Sequence, residues 1–176
     1  MDNVILTGNP IRKSIKRVDK NKAYFNLGVN PNVPFILSFG GSGGQNKLNE
    51  AMINVIEKYA DKSHTQIFHV TGKRFYEDFN KKLEAKRINL KENIRVLPYL
   101  YNMPEALNIA DLVVTSAGAI TLAEISAVGV PSILIPKSYT AENHQEYNAR
   151  VFADNGASCL ILERDLTGEL LYKKIE

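Results

Sequence analysis

Two segments of this sequence hold residue types suited to gripping an anion. Gly40-Gly41-Ser42-Gly43-Gly44 lies between an apolar run ending at Phe39 and a helical pattern opening near Asn46. Glycines let the backbone approach a ligand closely, and Ser42 adds a hydroxyl beside the free N–H groups of a helix start. The competing reading is a tight strand-to-helix turn. No Lys-Ser/Thr follows the last glycine and the G-x-G-x-x-G spacing is not met, so the loop is neither a P-loop nor a dinucleotide fingerprint. The second segment, Ser116-Ala117-Gly118-Ala119-Ile120-Thr121-Leu122-Ala123-Glu124, sets small residues before a helix whose first turn offers unpaired N–H groups. Glu124 lies three residues beyond Thr121. It is either the return arm of a capping box or a carboxylate for a neutral vicinal diol such as a ribose, because beside a phosphate it would repel. Both readings stay open on spacing alone.

Three weaker segments follow the same logic. Asn143, His144 and Gln145 at a helix start supply donors and acceptors suited to sugar hydroxyls, against the plainer reading of His144 as a cap or surface residue. Arg12, just past Pro10, carries the forked donors that suit a diphosphate. Pro98-Tyr99-Leu100-Tyr101-Asn102-Met103 can sandwich a flat base, although core closure is the plainer reading. No zinc-type Cys/His spacing and no G-x-S-x-G elbow occurs. Cys159, inside an apolar run, reads as an inert core residue, and nothing in the sequence pairs His64 or His69.

The elements that must position these residues are short β-branched runs alternating with helical patterns. Strands are expected at Val4–Thr7, Phe35–Phe39, Gln66–Val70, Ile94–Leu97, Leu112–Thr115, Ser132–Ile135 and Cys159–Leu162. Helices are expected near 46–60, 74–87, 103–109, 119–128, 142–155 and from about 166 onward. The runs are continuously apolar, as when both faces of a strand are buried. Such alternation implies parallel pairing, and so an α/β doubly wound, Rossmann-like sheet whose ligands bind beyond the strands' carboxyl ends. The basic stretch from Lys13 to Lys22 reads as a solvated helix or loop surface.

Composition narrows the function classes. The 176 residues suit one domain, with 44% hydrophobic and 23% charged residues and a single Cys. A disordered chain is excluded, and no apolar run approaches the ~20 residues of a membrane-spanning helix. The lone Cys suits a reducing, cytoplasmic setting. A net charge of +3 is too mild to argue for nucleic acid.

In this order, the segments resemble the carboxyl-terminal half of the MurG family of glycosyltransferases. The resemblance runs through Gly8-Asn9-Pro10-Ile11-Arg12, Gly40-Gly41-Ser42 with Gly44 and Asn49, His69-Val70-Thr71-Gly72-Lys73 and Tyr99-Leu100-Tyr101-Asn102-Met103. It continues through Ala110–Val114, Ser116–Glu124, Gly129-Val130-Pro131 and His144-Gln145-Glu146-Tyr147-Asn148-Ala149. Val70 stands where the family usually has Gln, and Gly43 where it often has Leu or Gln.

The resemblance implies one half of a two-domain GT-B fold, with residues 1–176 as a single domain binding a UDP-sugar. The enzyme it implies is an inverting transferase that moves N-acetylglucosamine from UDP-GlcNAc to a lipid-linked acceptor, making lipid II for peptidoglycan. By position, Arg12 and Ser42 would contact the diphosphate, with Ala119, Ile120 and Thr121 supporting it at the helix start. Leu100 would read the uracil edge with Tyr99 beside it, Glu124 would bind the ribose, and His144 and Gln145 the sugar hydroxyls. Arg12 would stabilise the leaving group; no other catalytic residue, metal or cofactor is expected in this piece. The ends read as cut, with the acceptor domain and the last helices outside the sequence, so donor binding without turnover is expected. The acceptor, and a peripheral place on the inner face of the cell membrane, would belong to the longer enzyme. The other readings are a donor subunit of another GT-B transferase and a non-catalytic uridine-nucleotide module.

Overall fold

A computed structural model describes Ile5 and residues 7–176. The strand expected at Val4–Thr7 falls outside the described residues at Val4 and Leu6, while Ile5 and Thr7 carry no regular structure. The other expected strands all form: β1 (Phe35–Phe39), β2 (Gln66–Val70), β3 (Ile94–Leu97), β4 (Leu112–Thr115), β5 (Ser132–Leu134) and β6 (Cys159–Leu160). Every pairing is parallel, in one six-stranded sheet of order β3-β2-β1-β4-β5-β6. The chain lays strands outward from β1 in one direction, then returns to place β4 on its other side. That reversal sets the crevice for a ligand beyond the carboxyl ends of β1 and β4.

Helices cover both faces, because parallel strands need crossovers and their side chains alternate. Ile36, Ile67, Ile94 and Val114 meet α2 (Asn46–Tyr59), α3 (Tyr76–Ala85) and α7 (Gly168–Ile175) through Leu48, Met52, Ile56, Phe79, Leu83 and Leu171. Phe35, Leu37, Phe39 and Phe68 face the opposite way, onto α1 (Lys20–Leu27), α4 (Met103–Ile109) and α5 (Ala119–Val128) through Leu27, Leu107 and Ile125. A smaller cluster seats Ala149 of α6 (His144–Asp154) on Leu122 and Leu134.

Several boundaries differ from the sequence expectation for local reasons. Helix α1 was not expected: it buries only Ala23 and Leu27, too few for an apolar stripe. Its caps were legible, with Asp19 accepting from the Lys22 N–H and Gly28 left-handed at the far end. The basic stretch is anchored, not merely solvated, since Ile15 in its short helix (Lys13–Arg17) is buried and its carbonyl accepts from Asn108 at 2.9 Å. Helix α6 starts at His144, not 142, because Glu142 and Asn143 hold left-handed backbones with φ of 51° and 53°. Cys159 is only half-buried, since β6 is a two-residue edge strand.

Candidate functional site

The glycine-rich loop leaves β1 and is pinned from several sides before α2 begins. Gly44 has a φ of 73°, and a Cβ there would lie 2.2 Å from the Thr71 carbonyl oxygen. The loop after β1 thus touches the loop after β2 backbone to backbone, and Asn49 of α2 holds the same Thr71 carbonyl at 3.1 Å. A Cβ on Gly43, by contrast, would meet nothing within 4 Å. So the glycines divide: Gly44 serves packing, and Gly43 faces open space.

Gln45, wholly buried, fastens the loop to the far half of the sheet. Its Nε2 donates to the Ile135 carbonyl at 3.2 Å and to Glu163 Oε1 at 3.0 Å. Glu163 Oε2 accepts the Ser138 N–H at 3.0 Å and the Ser138 hydroxyl. Burial pushes the Glu163 carboxyl up, but the hydrogen bonds from Ser138 and Gln45 prevail and hold it below its ordinary range. Lys137, between these groups, donates from Nζ to the Gly44 carbonyl at 2.8 Å. Burial pulls its ammonium below the usual lysine range, opposed by the field of Glu163.

Beyond β4, Ser116 and Ala117 are buried and lead to Gly118, the N-cap of α5. No side chain caps that helix, so its first-turn N–H groups remain free for an anion. Because the helix already starts at Ala119, Thr121 is interior and the capping-box reading of Glu124 falls. The Glu124 carboxylate instead takes the Arg12 fork, with Nε to Oε1 at 2.6 Å and Nη2 to Oε2 at 2.7 Å. Glu124's side chain is 6% exposed and Arg12's 46%. The bond to Glu124 raises the Arg12 pKa above its ordinary value.

These segments enclose a cavity of about 540 Å³ over the carboxyl ends of the central strands, within the usual range for a small-molecule site. One wall is apolar, from Phe39, Val70, Pro98, Leu100 and Met103, with Tyr99 at its edge. The polar part of the lining comes from Gly41, Ser42, the α5 start at Ile120 and Thr121, and the Arg12–Glu124 pair. Of the residues expected at the site, Arg12, Ser42, Tyr99, Leu100, Ile120, Thr121 and Glu124 line this cavity. Ala119, His144 and Gln145 do not. Gln145 is 8% exposed, and its Oε1 accepts the Lys137 backbone N–H at 3.1 Å. Among the described residues, no group of three His, Cys, Asp or Glu side chains could hold a metal ion.

Sequence reasoning missed Gln45, Lys137 and Glu163. A signal existed for Lys137 and Glu163, since each follows an apolar run where strand-end loops are expected to matter. Nothing local marked Gln45, which works through a partner 118 positions away.

A family model for the glycosyltransferase family 28 C-terminal domain matches residues 35–176. A protein of Thermoanaerobacter sp. (strain X514) is 47% identical over 175 residues, 99% of this chain and 48% of that protein. It is named UDP-N-acetylglucosamine--N-acetylmuramyl-(pentapeptide) pyrophosphoryl-undecaprenol N-acetylglucosamine transferase. A protein of the same name from Clostridioides difficile (strain 630) is 49% identical over 170 residues, 97% of this chain and 41% of its own length. The crystal structure of Acinetobacter baumannii MurG shares the fold, with a TM-score of 0.71 at 24% identity over 99% of this chain and 48% of that one. The chain spans about half the length of the curated relatives it matches.

Proposed function

The chain belongs to the glycosyltransferase family 28 C-terminal domain family, and from that premise we propose that it binds the UDP-N-acetylglucosamine donor of an inverting transferase. The observation that carries this reading is the division of one cavity into an apolar slot and an anion cradle. The apolar lining beside Leu100 and Tyr99 suits a uracil, whose edge the backbone there would read. Glu124 would accept from the ribose hydroxyls, a neutral partner that suits a carboxylate already balanced by Arg12. The diphosphate would lie between Gly41–Ser42 and the free N–H groups of Ala119, Ile120 and Thr121. Arg12 commits Nε and Nη2 to Glu124, which leaves Nη1 for a phosphate oxygen.

The sugar would project toward His144 and Gln145, outside the cavity wall. Gln145 Nε2 is the atom with a donor to offer there, since its Oε1 is taken by Lys137 N–H. In the whole enzyme an acceptor hydroxyl attacks the anomeric carbon, and the bond from that carbon to the β-phosphate oxygen breaks. The electron pair leaves with UDP, and the hydroxyl proton passes to a base supplied by the acceptor domain. The helix N-terminus and Arg12 oppose the charge that develops on UDP. The relatives' names give the acceptor as a pyrophosphoryl-undecaprenol lipid. An acceptor of that kind supports a complete enzyme working at the cytoplasmic face of the cell membrane, where it would make lipid II for the wall. Among the described residues no helix is long and apolar enough to cross that membrane.

Calorimetric titration of this chain with UDP-GlcNAc, UDP-GalNAc and UDP tests the reading. Preference for the gluco epimer is expected. Equal binding of all three would remove sugar recognition from these residues, and no binding would overturn the proposal.

A further inference from the structure

Arg12 lines the cavity, while Lys137, which does not, approaches the glycine-rich loop from behind, and the two differ in what they already hold. Both Arg12 nitrogens that face Glu124 are bonded to it. The ammonium of Lys137 donates to the Gly44 carbonyl and lies 4.0 Å from the point where a Cβ on Gly41 would stand. That same point is 3.4 Å from Ser116 Oγ. Lys137 therefore sits where the loop leaving β1 meets the segment that leads into α5, between the two backbone elements of the cradle. Its ammonium has three N–H donors, and Gly44 takes one. Among the described residues no carboxylate makes a direct ion pair with it, and Glu163, bonded to Gln45 and Ser138, acts on it only through its field. A half-buried ammonium that uses one of three donors is incompletely satisfied, and an anion in the cradle would take the others.

We infer that Lys137 binds the diphosphate of the donor from beneath the glycine-rich loop, while the principal work of Arg12 is to orient Glu124. The inference rests on the reading of the cavity as a nucleoside-diphosphate-sugar site and adds a cation to it. The alternative is a purely structural lysine that ties Gly44 to the β5 side of the sheet.

Titration of wild type, Lys137→Met, Lys137→Gln and Lys137→Arg with UDP, UMP and uridine separates the two. Charge-assisted contacts to phosphate predict that Lys137→Met and Lys137→Gln lose about tenfold or more in UDP affinity. Uridine affinity is expected to stay within about twofold, and Lys137→Arg to keep most of the UDP affinity. Unchanged UDP affinity in Lys137→Gln, which keeps an N–H donor for Gly44, overturns the inference. So does a parallel fall in uridine affinity, the mark of a disturbed loop. Wild type that binds UDP no tighter than uridine also overturns it. Wild type that binds none of the three overturns the underlying reading and the inference with it.

Discussion

Arg12→Ala and Glu124→Ala should have opposite rank orders in stability and in ligand binding, and that crossing follows from the asymmetry of the pair. Glu124 is nearly enclosed at 6% exposure and Arg12 is half in water at 46%. Truncating Arg12 strands a desolvated carboxylate without the two charge-assisted bonds that satisfied it. Bonds to charged groups contribute about 1.5–3 kcal/mol, and solvent at the arginine side discounts this to about 1–1.5 kcal/mol. Truncating Glu124 releases a guanidinium that water reaches, at a cost below about 0.5 kcal/mol. The double variant should match Glu124→Ala, since no buried charge then remains. Uridine binding should run the other way: Glu124→Ala removes the ribose acceptor and weakens binding by roughly 1–3 kcal/mol, and Arg12→Ala by less. Urea-denaturation midpoints at fixed slope and calorimetric uridine titrations read the two quantities. If Arg12→Ala is as stable as wild type, or if Glu124→Ala binds uridine normally, the pair does not do what its geometry argues.

Histidine 69 provides a pH signature. It is wholly buried, its Nδ1 meets Ser38 Oγ at 3.1 Å, and its Nε2 has no partner among the described residues. Burial pulls its pKa from 6.5 down to about 3. The folded state therefore binds fewer protons than the unfolded one between those values, so stability is full above the unfolded pKa and falls with pH below it. A single such group removes about 2 kcal/mol between pH 8 and pH 5, above the range where carboxylates begin to contribute. Denaturation midpoints across that window should slope in wild type and flatten in His69→Gln; an unaltered slope in the variant would assign it elsewhere. In the glycine-rich loop, Gly44→Ala should cost more than about 2 kcal/mol, because its φ is positive and its Cβ would strike the Thr71 carbonyl. Gly43→Ala should stay within about 0.5 kcal/mol and keep UDP affinity, because that position opens on free space. Equal losses in the two variants would contradict the division of the loop.

Much of the scaffold was legible because it is written in contiguous residues. Phe35–Phe39 is apolar but for Ser38, and Gln66–Val70 carries Ile67, Phe68 and Val70, runs that suit a strand buried on both faces, and both strands form where that pattern places them. The loops at strand ends were legible for the same reason; those after β1, β3 and β4 border the cavity, whereas the segment after β5 that carries His144 and Gln145 does not. What escaped was pairing across distance. Arg12 and Glu124 were each assigned to a ligand, while in the fold they hold each other across 112 positions. Gln45 and Glu163 are 118 positions apart and neither carries a local mark of the partnership. The place of Gln145 at a helix start suits sugar hydroxyls and the resemblance assigns it to them, yet the oxygen of its amide closes the turn at Lys137. Helix α1 escaped because its caps, not its apolar residues, define it.

The network behind the glycine-rich loop bears on how a cradle of this kind acts on charge. A flexible loop would have to order itself around each phosphate, and the ordering entropy would be subtracted from binding. Here Gln45, Asn49 and Lys137 fasten the loop to Ile135 and Glu163, to the Thr71 carbonyl, and to the β5 side respectively. The loop is thus held in place before a ligand arrives. The charges lining the cavity offset each other, since Arg12 and Glu124 neutralise as a pair. Beside that pair, the fixed dipole of α5 would add positive potential at the cradle, and on the inference above so would Lys137 below the loop. Neither would need to move when a donor's glycosidic bond breaks, so both would stabilise a departing diphosphate without reorganisation.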